Sequence, residues 1–123
     1  MKVTEAMTKD PLSVLAEGSL CEAAAGLRDA GIGALPVVSD EKQLIGMVTD
    51  RDVAVRAVAD GRGPETLVQD VMTDTLVYAD ASFDLKDALA LMGMHQVRRL
   101  PVVEGVHLVG IISQADIAAV VRP

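Results

Sequence analysis

The stretch LPVVSDEKQLIGMVTDRDV, Leu35 to Val53, returns near the other end of the chain as LPVVEGVHLVGIISQADI, Leu100 to Ile117. Leu35-Pro36-Val37-Val38 recurs 65 positions later, and Gly46 recurs at Gly110 after 64, so the intervening loop has lost one residue. The same offset of 65 carries Val3, Met7 and Thr8 onto Val68, Met72 and Thr73, which extends the repeat over almost the whole chain. A period of this length is a supersecondary unit that needs a neighbour to cover its apolar face.

Working outward, each LPVV run and the apolar run behind it are separated by a short polar loop, as in Ser39 to Gln43, and read as a buried hairpin. Upstream, Leu12 to Leu15 suits a short strand after the break at Lys9-Asp10-Pro11. Ser19 with Glu22 forms a capping-box signature, and Leu20, Ala23, Ala24 and Leu27 follow the spacing of one helical face. This helix is expected to run to about Ala30, with Gly31 ending it in a left-handed conformation. A second helix is expected from about Asp50 to Ala59, with Val53 and Ala57 on one face.

In the second half Asp84 takes the capping place of Ser19, and Leu85, Ala88, Leu89 and Met92 repeat the apolar stripe. Val3 to Met7 suits a short helical turn. Asp60 to Glu65, DGRGPE, combines helix-stopping and turn-forming residues and is read as the connection between the halves. The expected organisation is one repeat over residues 1–61, a linker over 62–66 and a second repeat over 67–123. Each half reads β-α-β-β-α, an α/β (α+β) pattern. The strand-helix-strand crossover favours parallel pairing of its first two strands, and the hairpin adds an antiparallel third. About 60 residues make a marginal core alone, so the two halves are expected to pack as one body.

Half of the 123 residues are hydrophobic, yet only one Tyr and one Phe occur, so Val, Ile, Leu, Ala and Met must fill the core. A net charge of −7 repels polyanions and argues against nucleic acid or an anionic membrane as partner. No apolar run is long enough to span a bilayer, and MKVTEAMTKD lacks the apolar core of a signal peptide, so a cytoplasmic location is expected. With Cys21 the lone cysteine, no intrachain disulfide or multi-cysteine metal cluster can form, and Cys21 is expected as a small packing residue. His95 and His107 have no ligand-spaced partner, and no nucleophile and base stand together, so neither a metal site nor an enzyme is expected. Met72, Met92 and Met94 are expected to fill gaps in the core or at a subunit interface.

The glycine-led runs Gly46 to Asp52 and Gly110 to Asp116 each put a hydroxyl and a carboxylate three residues apart at a strand-to-helix junction. One reading is a helix cap, in which Thr49 or Ser113 accepts from first-turn N–H groups and the acid answers the helix dipole. The other is a ligand site, in which the carboxylate accepts both hydroxyls of a ribose and the hydroxyl and free N–H groups face a phosphate. Spacing alone does not choose between them.

Two LPVV strands, two G-h-h-[ST]-x-x-D junctions (h, apolar) and an upstream V-x-x-x-M-T entry together resemble a tandem pair of CBS domains, a Bateman module. The likeness extends to small stand-alone bacterial CBS pairs. It implies a regulatory module that binds AMP, ADP, ATP or S-adenosylmethionine in clefts between the repeats and associates into a homodimer acting on an unknown protein target. No obligatory cofactor is implied. By the same resemblance Asp52 and Asp116 match the ribose-binding acid, and Thr49 and Ser113 match the hydroxyl position. Ala34, Leu35 and Pro36 match the adenine lining, as do Leu100 and Pro101. The basic residues that meet phosphates are Arg98 and Arg99 in the second half, where the first half has Gly33 and Ala34. Alternation along a strand would point Arg98 and Arg99 opposite ways. The competing class is a ligand-independent dimerisation or protein-interaction module whose junction acids are caps.

Overall fold

The computed structural model describes residues 1–121. Its contacts divide the chain into two compact units, one of Leu12–Leu76 and the other of Met1–Pro11 together with Val77–Pro123. The segment Asp60 to Glu65 therefore lies inside the first-named unit. There the N–H of Cys21 donates to Pro64 O at 2.9 Å and that of Leu20 to Thr66 O at 2.7 Å. The chain passes between the units at Pro11–Leu12 and again at Leu76–Val77.

In the unit Leu12–Leu76, β2 (Val14–Leu15) pairs parallel with β3 (Ala34–Val38), which pairs antiparallel with β4 (Leu44–Thr49). Helix α1 (Leu20–Ala30) makes the crossover. Ser19 Oγ accepts the Glu22 N–H at 3.1 Å, and Gly31 ends the helix at φ 65°. That φ is left-handed, where a side chain would clash with the backbone. Leu20, Ala23 and Leu27 are buried, and Ala23, Leu27, Leu35, Val37, Val48 and Val68 form the unit's core.

The second expected helix differs in kind. Only Asp50 and Arg51 are α-helical, and Asp52–Val58 is a π-helix closed by bonds such as Ala59 N–H to Ala54 O at 3.0 Å. Ala57 is fully buried and Val53 half-buried, whereas Val55 and Val58 face solvent.

The other unit repeats this plan with one added strand. β5 (Ala79–Asp80) pairs parallel with β6 (Arg99–Glu104), and β6 antiparallel with β7 (His107–Ser113). β1 (Thr8–Lys9) adds to the far side of β7, pairing Thr8 with Ile111. Helix α2 (Leu85–His95) makes the crossover, and α3 (Gln114–Val120) follows β7. Its core joins Val3 to Ala79, Leu85, Ala88, Met92, Leu100, Val102, Ile112 and Ile117. The turn Val3–Glu5, a 3₁₀ helix, is thus packed among residues of the second repeat rather than its own.

Glycines in the two hairpins explain how these entry segments dock. A Cβ on Gly46 would lie 2.6 Å from Met72 Sδ and 2.9 Å from Thr73 O. On Gly110 it would collide with Met7 and with Thr8 O. A side chain at either position would exclude the Met-Thr segment that crosses it.

Two expectations need correction, those for Cys21 and for the direction of Arg98. Cys21 is exposed rather than packed, because it sits one residue beyond Leu20 on the solvent side of α1. Of the methionines expected in the core or at a subunit interface, Met92 is buried, Met72 packs partly buried over Gly46, and Met94 is 74% exposed and lies outside the core of its unit. Arg98 lies in a bend ahead of β6, so strand alternation does not set its direction relative to Arg99.

Candidate functional site

The two strand-to-helix junctions have the same local chemistry. In one, Asp52 N–H donates to Thr49 Oγ1 and Thr49 N–H donates to Asp52 Oδ2, both at 3.0 Å. In the other, Asp116 N–H donates to Ser113 Oγ and Ser113 N–H donates to Asp116 Oδ2, again both at 3.0 Å. Each pair is a reciprocal capping box, which the three-residue spacing dictates once the strand ends and the helix begins. The cap reading of these residues is therefore realised at both junctions. It uses one carboxylate oxygen and leaves the question of the other.

That second oxygen separates the junctions. Asp52 is 5% exposed, and Thr73 Oγ1 donates to it with Oδ1 and Oδ2 both at 3.3 Å. Arg56, one helical turn on, brings its Nε to 3.7 Å from Asp52 Oδ1 and donates from a terminal nitrogen to Met72 O at 3.1 Å. Asp52 thus ties β4, the π-helix and the Met72–Thr73 segment together within its own unit. Asp116 is half-buried, and among the described residues the Ser113 N–H is the one protein donor its carboxylate meets. Thr8 stands where the repeat would place a second Thr73, but it makes no hydrogen bond to Asp116. Val120 stands where it would place a second Arg56.

The neighbouring strand starts differ as well. β6 sets Arg99 directly across from Ser113, whereas β3 sets Ala34 across from Thr49. Directly opposed residues in an antiparallel pair share a face, with Cβ atoms about 5 Å apart. Arg99 is exposed, so its guanidinium is free to reach over the Ser113–Asp116 turn. Arg98 is also exposed, and its carbonyl accepts the Gln114 N–H at 2.9 Å, anchoring the bend to the start of α3.

The apolar candidates fall into two groups. Leu35, Pro36, Leu100 and Pro101 are buried, so what they offer is backbone and packing at the strand start, while Ala34 is half-buried. Sequence reasoning missed Arg56 and Thr73. Arg56 was legible as a basic residue four positions after Asp52 on a helix. Thr73, 21 residues away from Asp52, carries no local signal.

No group of three or more His, Cys, Asp or Glu able to hold a metal occurs among the described residues. His95 ends α2 and His107 opens β7, both exposed. No described helix is long and apolar enough to cross a membrane.

Known proteins share this fold. Hypoxic response protein 1 of Mycobacterium tuberculosis (strain ATCC 25618 / H37Rv) is 42% identical over 101 residues, spanning 81% of this chain and 71% of that protein. The crystal structure of Hypoxic Response Protein I with two coordinated zinc ions matches at a TM-score of 0.90 and 35% identity, covering 99% of this chain and 100% of that one. CBSX2 in complex with AMP matches at 0.83 and 27%, covering 96% and 93%. The CBS domain pair of protein MJ0100, in complex with 5-methylthioadenosine and S-adenosyl-L-methionine, matches at 0.81 and 26%, covering 97% and 94%. The family model described as the CBS domain matches residues 3–58 and again residues 68–122, so this chain belongs to the CBS-domain family as a tandem pair.

Proposed function

We propose that the chain is a regulatory module that binds an adenosyl compound, AMP, ADP, ATP or S-adenosylmethionine, and passes its occupancy to a protein target in the cytoplasm. The observation that carries this reading is the cross-strand placement of Arg99 opposite Ser113, with the half-buried Asp116 three residues on. A carboxylate with an uncommitted oxygen accepts two vicinal hydroxyls of a ribose. An exposed guanidinium on the face of the Ser113–Asp116 turn suits a phosphate. Solved relatives with AMP and with S-adenosyl-L-methionine support the same ligand class.

Calorimetric titration of AMP, ADP, ATP, S-adenosylmethionine and adenosine tests the assignment. Asp116→Ala removes two charge-assisted hydrogen bonds and is expected to weaken binding by roughly 2–4 kcal/mol, about 30-fold or more. A residue that serves as a cap alone would cost about 1 kcal/mol of folding stability and leave affinity unchanged. Arg99→Ala is expected to weaken the phosphate-bearing ligands and spare adenosine. Absence of binding by the wild-type chain at millimolar ligand overturns the reading and leaves the interaction-module class.

We also infer that the chain forms a homodimer. Val58 on the π-helix is 67% exposed, Val55 beside it 48%, and on α2 Leu89 is 47% and Met94 74% exposed. Exposed apolar side chains on helices are surface that a second copy covers at a gain of about 25 cal/mol per Å².

A further inference from the structure

The two junctions share one capping geometry and differ in everything around the acid. Asp52 is sealed: Thr49 N–H, the Thr73 hydroxyl and the Arg56 guanidinium occupy both of its oxygens, and 5% of the residue reaches solvent. Asp116 is half-buried with one oxygen uncommitted among the described residues, and its strand neighbour supplies a cation where the other junction supplies Ala34. We propose that this chain takes one adenosyl ligand, held at Asp116, and that Asp52 is an internal clamp whose lone pairs are withheld from ligand by Thr73 and Arg56. The proposal rests on the functional reading above and narrows it to one of two acids that the sequence presents as equivalents.

The physical basis is competition for acceptor sites. A ribose donates two hydroxyls to one carboxylate, and at Asp52 it would meet a Thr73 hydroxyl that already donates and a guanidinium 3.7 Å from Oδ1, on a carboxylate that is itself buried. Admitting a ligand there means breaking the tie to Thr73 as well as the pairing with Arg56. Arg56 is itself held in place by its bond to Met72 O at 3.1 Å, so the clamp is braced from both ends. At Asp116 nothing has to break. The difference traces to two substitutions between the repeats, Val120 in the place of Arg56 and Arg99 in the place of Ala34, together with a Thr8 hydroxyl that does not reach its acid.

The test pairs the acids. Titration of AMP or ATP into the full chain is expected to give one ligand per chain. Asp52→Asn is expected to keep that stoichiometry and an affinity within about twofold, while lowering the unfolding midpoint by about 5 °C or more. Asp116→Asn is expected to lose affinity by about 30-fold or more, with a midpoint shift smaller than that of Asp52→Asn. Should Asp52→Asn not fold, Arg56→Gln removes the ion pair and the bond to Met72 O while keeping the Asp52 carboxylate, and one ligand per chain with unchanged affinity is the supporting result. Two ligands per wild-type chain, or an affinity loss above tenfold in the Asp52 or Arg56 variant, overturns the proposal and leaves the broader functional reading standing. No binding by the wild type at millimolar ligand removes both.

Discussion

Replacing Gly46 by alanine adds one methyl group at the point where the Met72–Thr73 segment crosses β4. The new carbon would stand 2.6 Å from Met72 Sδ and 2.9 Å from Thr73 O. The methionine sulfur can swing aside at small cost, because its side chain is flexible. The carbonyl cannot, because the same backbone exchanges two hydrogen bonds with Met47, at 2.9 and 2.7 Å. Pushing it away lengthens both and draws the Thr73 hydroxyl off Asp52. Overpacking of this kind costs about 1–3 kcal/mol, and two strained backbone bonds place Gly46→Ala toward the upper end. With a urea slope of about 2 kcal/mol per molar, a 2 kcal/mol loss moves the midpoint down by about 1 M. Far-UV circular dichroism is the readout, since the chain has no Trp and one Tyr. Gly93→Ala is the matched control. That glycine lies inside α2 with nothing within 4 Å of the added carbon, so the same methyl is expected to stabilise by up to about 1 kcal/mol. Equal midpoints for the two variants, or Gly46→Ala within about 0.5 kcal/mol of wild type, would refute the close-approach argument.

Two further predictions follow from exposed groups. The Ser82 hydroxyl, and after it the Ser82 N–H, donate to Asp80 and hold its carboxyl below the ordinary aspartate value. A carboxyl depressed by folding contributes stability above its unfolded pKa and loses it as pH falls through the folded value, so acid should weaken this turn. An NMR titration is expected to show the Asp80 midpoint rising in Ser82→Ala, and identical midpoints would contradict the assignment. Light scattering at micromolar concentration is expected to return twice the chain mass, and Val58→Ser with Met94→Ser to shift it toward the monomer. A monomeric wild type removes the homodimer.

The repeat, the crossover helices and the hairpins were legible in the sequence because each depends on a short-range pattern. Short apolar runs separated by a polar loop mark β3 with β4 and β6 with β7, and the apolar stripe with its cap marks α1 and α2. The Thr49–Asp52 and Ser113–Asp116 boxes were legible for the same reason, since three residues of spacing suffice to build them. The partner of each entry segment was not. Val3 and Val68 carry the same residue in the same repeat position, and nothing local tells either which core it joins. Only the folded chain puts Val3 against Leu100 and Ile112, and Val68 against Leu35.

The fate of the two acids was decided in the same way. Sequence presents Asp52 and Asp116 as equivalents, because local capping is all that three residues can express. Tertiary structure makes them unequal by carrying Thr73 and Arg56 onto one, and by setting Arg99 across from the hydroxyl beside the other. The π-helix that carries Arg56 was equally hidden, and its Ala57 packs with Leu20 and Val71 from distant parts of the chain. Patterns within one turn or one strand are fixed by bonds between near neighbours. Contacts between segments far apart in sequence, such as Thr73 with Asp52 and Thr8 with Ile111, are fixed only when the whole chain has chosen what to bury.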